Sequence, residues 1–475
     1  MTSPRISMTS LPLNAAATLR HRADSRFKTA RLSLFTILPA DAETSPLTTL
    51  LFGILRRGSE RYPRLALLNR RLDELYGTTL TIRNYLHGDA HVVCYTVEMP
   101  EQAFLPSRET FSHGESLPGE PLPGESLLGE PLPGEPNVLE DVMSLLADML
   151  LCPLRDGDGH LRPQAVEREK QALTDSLRSL KNDTRAYAAT RLRELMCQGE
   201  PYGLSIGGTV EQVAAITPAE VTAHHRHLLE CLQMEVFYTG RSSVAEVEQA
   251  WSRAFGDWSP SSVPTFSTSC HLPPITPREM TETMEVSQSK LCMGWSCGAN
   301  YGTLTHDPDT LAAYAVCNEL FGGMQGSLLF RHVREKLGLC YFCDSALDMT
   351  KGILWVSCGI RSDRRREVEE AICRQLADLQ KGRISPEDLE LAKLSLQNAY
   401  RQMGDSQSAM EIYDFGRLMN RTADTPEGEM ERIRRVTAAD VARVAQTCTL
   451  DTVFFLKGNA EGSIRHGAGK EDCLD

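Results

Sequence analysis

Residues 331–360 read RHVREKLGLCYFCDSALDMTKGILWVSCGI, and residues 70–99 read RRLDELYGTTLTIRNYLHGDAHVVCYTVEM. Both open on a charged helical turn that stops at a glycine, Gly338 or Gly77, the residue best suited to a left-handed C-cap. Both then run through a strand, a turn and a second strand rich in β-branched and aromatic residues. The two glycines lie 261 positions apart. A second matched pair follows. ITPAEV (Ile216–Val221) and VTAADV (Val436–Val441) each place Thr three residues before an acid, close to a capping box at a helix start. They lead to the strands EVFYTG and TVFFLKG, spanning 24 and 22 residues from helix start to closing glycine. The same units in the same order imply an internal duplication. The expected fold is therefore α+β: two homologous domains, each an antiparallel sheet packed with several helices.

Two segments punctuate that plan. GESLPGEPLPGESLLGEPLPGEP (Gly114–Pro136) repeats glycine every five residues, each followed by Glu. Such a tract neither forms a helix nor buries a core, and reads as a solvated, extended loop. DWSPSSVPTFSTSCHLPPITP (Asp257–Pro277) is rich in Pro and Ser and reads as an interdomain linker. The expected division is a tail over 1–26, a first domain over 27–256 with an insert at 107–136, a linker over 257–277, a second domain over 278–460 and a tail over 461–475. The first strand is placed in RFKTARLSLFTIL.

Length bounds the answer further. A chain of 475 residues exceeds what one core usually supports. Net charge is −13 and the pI about 5.5, which argues against broad binding to nucleic acid or anionic membranes. No apolar run is long enough to span a bilayer, and the N-terminus lacks the apolar core of a secretory signal. The 14 cysteines are scattered, several inside apolar runs such as those around Cys94, Cys292 and Cys358. They read as reduced, buried thiols of a cytoplasmic protein. Cys340 and Cys343 form a CxxC on an expected strand, which would point the two thiols to opposite faces.

Other candidates read as structural. His224, His225 and His227 lie on one expected helix, and His224 and His227 share a face; the set reads as a solvated surface rather than a metal site. His87 and His91 flank an expected hairpin turn and read as exposed. FGGMQGS (Phe321–Ser327) lacks the ending of a phosphate-binding loop and reads as a break between two helices.

The run LFGGMQGSLLFRHVREKLGLCYFCDSALDMTKG (Leu320–Gly352), with the duplication, resembles the insulinase/pitrilysin-type metallopeptidase family over about residues 27–460. Active members carry an inverted zinc motif, H-x-x-E-H, on a first-domain helix, followed by an exit similar to LRRGS (Leu55–Ser59). Two imidazoles four residues apart hold Zn²⁺, the Glu activates its water, and a carboxylate on a later helix completes the site. Aligning the exit puts Thr49 and Gly53 at the imidazole positions and Phe52 at the general base. On VEREKQALTDSL, Glu169 matches a family carboxylate, and the third ligand position falls on Ser176. No H-x-x-E-H or H-E-x-x-H occurs in the chain. The resemblance thus implies a member without zinc, general base or any other cofactor.

In the second domain, Arg334 and Tyr341 match a pair that in this family helps hold substrate across the chamber. A fork of guanidinium donors and a phenol suit a peptide carbonyl or carboxylate. Members of this size commonly work in pairs, so the resemblance implies a zinc-bearing homologous peptidase subunit as partner, and a peptide or protein substrate. It is similar to the non-zinc member of a bacterial pair linked to aminopentanol modification of elongation factor P, and more distantly to the alpha subunit of mitochondrial processing peptidase. Two other classes stay open: an active hydrolase with a metal site moved to His224 and His227, and a scaffold whose chamber binds nothing.

Overall fold

The computed structural model describes residues 8–105, 137–261 and 267–459. In the first half, β1 (Met8–Pro12), β2 (Ala17–Ala23) and β3 (Thr29–Pro39) precede the helices α1 (Thr44–Leu55) and α2 (Leu65–Glu74). The hairpin of β4 (Thr79–His87) and β5 (Ala90–Pro100) follows. Then come α3 (Val138–Leu151), α4 (Pro163–Ser179), α5 (Thr184–Met196), α6 (Val210–Ala215), α7 (Pro218–Cys231), β6 (Gln233–Gly240) and α8 (Val244–Phe255). The second half holds β7 (Arg278–Met284), β8 (Ser289–Ser296), α9 (Pro308–Asn318), β9 (Cys340–Asp348) and β10 (Ile353–Ile360). It closes with α10 (Arg365–Gln380), α11 (Pro386–Met403), α12 (Gln407–Asn420), α13 (Pro426–Arg435), α14 (Ala438–Thr447) and β11 (Thr449–Gly458).

The duplication is visible in the strand order. One sheet runs β1-β2-β6-β3-β5-β4 and the other β7-β11-β8-β10-β9. Apart from the extra β1, the two orders correspond strand for strand. The α+β class holds, with one refinement: each sheet contains a parallel pair, β2 with β6 and β7 with β11, among otherwise antiparallel pairings. The expected capping boxes form at Thr217 with Glu220 and at Thr437 with Asp440. Gly77 and Gly338 adopt φ of 75° and 59° as left-handed caps. The FGGMQGS break is also present: α9 runs into a π-helical turn (Glu319–Gly323), and a second π-helical segment (Leu329–Lys336) starts after it.

The N-terminal tail expected over 1–26 is corrected. Residues 8–23 form β1 and β2, and β2 joins the sheet through its parallel pairing with β6. The short polar MTSLP (Met8–Pro12) has no apolar alternation to mark it as a strand; it pairs with its neighbour β2, whose other partner, β6, lies far along the chain. The Gly/Pro/Glu insert, residues 107–136, and the C-terminal tail, 461–475, lie outside the described residues.

Each sheet is covered on both faces, and the second cover comes from the other half. One face of the first sheet packs Leu32, Leu34, Val93 and Val97 against α1, α3, α7 and α8. Its opposite face presents Phe35, Ile37, Val92, Cys94 and Phe237 to Phe415 of α12. Phe415 stacks on Phe35 with ring centres 4.1 Å apart. Arg22 pairs with Asp414, and Arg31 Nε lies 3.1 Å from Glu411 Oε1. Reciprocally, Tyr187, Ala188 and Leu192 of α5 cover Cys292, Phe454 and Leu456 on the second sheet. Tyr187 Oη donates to Glu282 at 2.6 Å, and Arg278 Nη1 donates to the carbonyls of Leu195 and Met196. Among the described residues no helix is long and apolar enough to cross a membrane.

Candidate functional site

Helix α1 follows from its sequence: a run of apolar residues, with Asp41 accepting from the backbone N–H groups of Glu43 and Thr44 at its start. Its exit needs Gly58 (φ 150°), because a Cβ there would stand 2.3 Å from the Tyr62 carbonyl oxygen. Leu50, Leu51, Phe52 and Leu55 are buried in the first core, and Phe52 lies 5.7 Å, centre to centre, from Tyr95.

Thr49 and Gly53, one turn apart, are half-buried on α1. Thr49 Oγ1 donates to the Ile206 carbonyl at 2.7 Å and accepts from Asn84 Nδ2 at 2.8 Å. Asn84 Oδ1 in turn takes the Nε2–H of His91. At Gly53 the space of a side chain is filled by Glu169 of α4: a Cβ would stand 2.2 Å from Glu169 Oε1. The other carboxylate oxygen accepts from Arg57 Nε at 2.6 Å. An Arg–carboxylate pair therefore sits over the bare helix surface, with Glu169 18 % exposed. Ser176 lies two turns further along α4, exposed, and its carbonyl takes the Ser179 hydroxyl.

The histidines are not where the sequence suggested. His224 is buried, not solvated, with Nε2 2.8 Å from the Thr48 hydroxyl. His225 is also buried, on the Leu150 carbonyl, while His227 is exposed. His91 is buried within β5, and His87 ends β4 half-buried; only Gly88 and Asp89 make the turn. Burial depresses both His91 and His224 to about 4, so both are neutral near pH 7 and serve as hydrogen-bond partners. The solvated face and the exposed turn are thus corrected for one reason: polar side chains that meet a partner in the core are indistinguishable in sequence from exposed ones.

Arg334 and Tyr341 lie at the other half's edge. Arg334, on the second π-helical segment, is exposed, with its guanidinium 4.7 Å from the Phe330 ring centre and no carboxylate partner among the described residues. Tyr341 is 64 % exposed. It is the extra residue of a β-bulge: Phe342 pairs with Gly359 and Cys340 with Ile360, leaving Tyr341 unmatched on the edge strand β9. The bulge also corrects the reading of the CxxC. It turns Cys340 back to the side of Cys343, so both pack against the second core. The Cys340 thiol is pushed up by its hydrogen bond with Cys343 and by burial. Arg185 anchors β9 nearby, donating to both oxygens of Asp344 at 2.8 and 2.9 Å and lying over Phe342.

Sequence reading missed a third cluster, at the junction of the halves. The segment read as an interdomain linker is docked into the junction: His271 is 1 % exposed. Its Nδ1 lies 2.6 Å from Glu200 and its Nε2 2.9 Å from Asp451. Lys351, wholly buried, reaches Asp89 at 3.0 Å and Glu200 at 2.7 Å. Asp89 and Lys351 sit in the β4–β5 and β9–β10 turns, corresponding hairpins of the duplication. That correspondence was the available signal: opposite charges in equivalent turns. Burial opposes the charge on His271, but its bonds to Asp451, Cys197 and Glu200 hold it up at about 11. Cys197, Glu200 and His271 bring donor atoms within 4.8 Å of one another. The Lys351 ammonium and the proton on His271 already supply that cluster's positive charge, so its donors are committed without an ion.

Comparison with known proteins finds similar chains. Residues 215–396 match the family described as "Peptidase M16 inactive domain". A "Probable inactive metalloprotease" of Bacillus subtilis, YmfF, is 25 % identical over 438 residues, covering 92 % of this chain and 95 % of that protein. A conserved protein from Enterococcus faecalis superimposes with a TM-score of 0.81 at 26 % identity, over 96 % of this chain and 100 % of its own. A peptidase M16 inactive-domain structure from Pseudomonas fluorescens shares the fold, with a TM-score of 0.72 at 15 % identity over 96 % of this chain and 98 % of its own.

Proposed function

Because this chain is an inactive-type homologue of the M16 metalloproteases, we propose that it works without zinc of its own. It binds a peptide or protein substrate and completes the chamber of a zinc-bearing homologous subunit. On this reading Thr49 and Gly53 stand where active members carry imidazoles, Phe52 where they carry the general base, and Ser176 where they carry the carboxylate ligand. The observation that carries the reading is the Glu169–Arg57 pair lying across Gly53. A carboxylate neutralised by a guanidinium is a poor ligand for a cation. Thr49 spends its hydroxyl on a carbonyl and an amide, and the Phe52 ring faces the core, where it has no proton to take.

Arg334 and Tyr341 are the substrate contacts in this scheme. Both are exposed, and among the described residues neither is used in an ion pair, which suits donors kept for a peptide carbonyl or carboxylate. The zinc and general base then come from the partner, in a cytoplasmic heterodimer. Modification of elongation factor P is the first process in which to seek the client.

The test is co-expression of the tagged chain with a zinc-bearing M16 homologue from the same genome. The two should co-purify with the metal in the partner. Arg334→Ala or Tyr341→Phe should lower the pair's turnover by a factor of ~10²–10³, the usual cost of a positioned donor, with assembly unchanged. The double variant should be less than additive if both serve one developing charge. Stoichiometric zinc and chelator-sensitive cleavage by the chain alone would overturn the proposal. So would full activity of both variants at matched assembly.

A further inference from the structure

A cavity of about 190 Å³ lies between α5 and β10, where a helix of the first half covers the sheet of the second. Leu192, Met196, Ile353 and the indole of Trp355 form its apolar walls, and the small side chain of Ala189 leaves the space open. An apolar cavity of about 150 Å³ suffices to take up benzene, so this one suits a single aryl or branched alkyl group.

The polar groups on its lining are chiefly donors. Tyr202 spends its hydroxyl on Asp348 at 2.6 Å. Arg193 uses Nη1 on the carbonyls of Tyr202 and Leu204. Its Nε and Nη2, and the indole N–H of Trp355, make no hydrogen bond among the described residues, and no carboxylate there pairs with Arg193. An apolar hole beside a guanidinium and an indole N–H that remain open to solvent suits a ligand that brings an anionic acceptor on an apolar body. We infer that this cavity binds a small carboxylate with one apolar arm, of the aryl- or branched-alkyl-acid class. Because α5 and β10 belong to different halves, the bound acid fastens one to the other and raises the melting temperature.

The test titrates the whole chain with 3-phenylpropanoate and with its neutral counterpart 3-phenylpropanamide, read by saturation-transfer NMR and tryptophan fluorescence. The acid should bind saturably and about tenfold tighter than the amide. Arg193→Gln keeps an amide donor for the two carbonyls but no charge, and should bring the acid down to the amide's affinity. Ala189→Phe fills the cavity and should abolish both, with a melting curve to show that it folds. Trp355→Phe is the second probe: the acid still binds by NMR, but the ligand-induced fluorescence change disappears. Absence of saturable binding at millimolar acid, equal affinity for acid and amide, binding unchanged in Ala189→Phe, or a fluorescence change that survives Trp355→Phe would each overturn the assignment.

Discussion

Gly53 costs its helix something. Glycine inside a helix is about 1 kcal/mol less favourable than alanine, yet here no Cβ fits while Glu169 keeps its place. The two effects oppose each other, and a double-mutant cycle separates them. Gly53→Ala alone should change stability by less than about 1 kcal/mol, since the propensity gain is spent on moving Glu169 off Arg57. Made in a Glu169→Ala background, the same substitution should stabilise by about 0.5–1 kcal/mol. Denaturant unfolding measures both; equal effects in the two backgrounds would mean that Glu169 does not compete for that space. The absence of ligand-type residues on α1 was legible in the sequence, because it needs only residue identities. What took their place was not, since Glu169 lies on another helix and its rotamer is set by Arg57.

At the scale of the element, the exchanged helices carry the most weight for their size. Phe415 is 3 % exposed and packs against Phe35 and Phe237 of the other half. Phe415→Ala should destabilise by about 3–5 kcal/mol, the usual cost of emptying a buried aromatic site. It should also raise hydrogen exchange in β3 and β5, strands far from it in sequence. A loss confined to α12 would mean that the helix is an ornament on the first sheet. The strands, the capping boxes and the duplication could be read because periodicity, turn residues and caps are local. Which sheet a helix covers is not local. A partial signal existed: SLFTIL in β3 and HVVCYTV in β5 are apolar at successive positions rather than alternate ones, as strands buried on both faces are. β1 and the bulge at Tyr341 left no such trace: MTSLP carries no apolar alternation, and a bulge is an offset between two paired strands that no single residue announces.

At the scale of the molecule, the junction cluster ties pH to stability. Burial disfavours the Glu200 carboxylate, but His271 and Lys351 hold it down at about 2 from an ordinary 4.5. Its contribution is therefore present above about 4.5 and is lost as the pH falls toward 2. His271 is held up at about 11 from 6.5, so its contribution is complete below 6.5 and declines as the pH rises toward 11. The junction should be firmest between these limits, from about pH 4.5 to 6.5. Melting temperature against pH should show that plateau, and His271→Gln should flatten the alkaline limb. Lys351→Met should cost about 3–5 kcal/mol, because it leaves Asp89 and Glu200 without their buried cation. An unchanged alkaline limb in His271→Gln would place the sensitivity elsewhere.

The reciprocal cover also has a consequence in time. A ribosome releases the first sheet long before it has made residues 407–420, so Phe35, Ile37, Val92 and Phe237 wait bare until α12 emerges. Through that interval the nascent first half carries an apolar face without its lid, the state in which chaperones bind and neighbouring chains aggregate. A fragment ending at the linker keeps that face for good, and carries α5 with no sheet to lie on. Neither half is a module that a gene fusion or a truncation can borrow: the unit that folds is the pair.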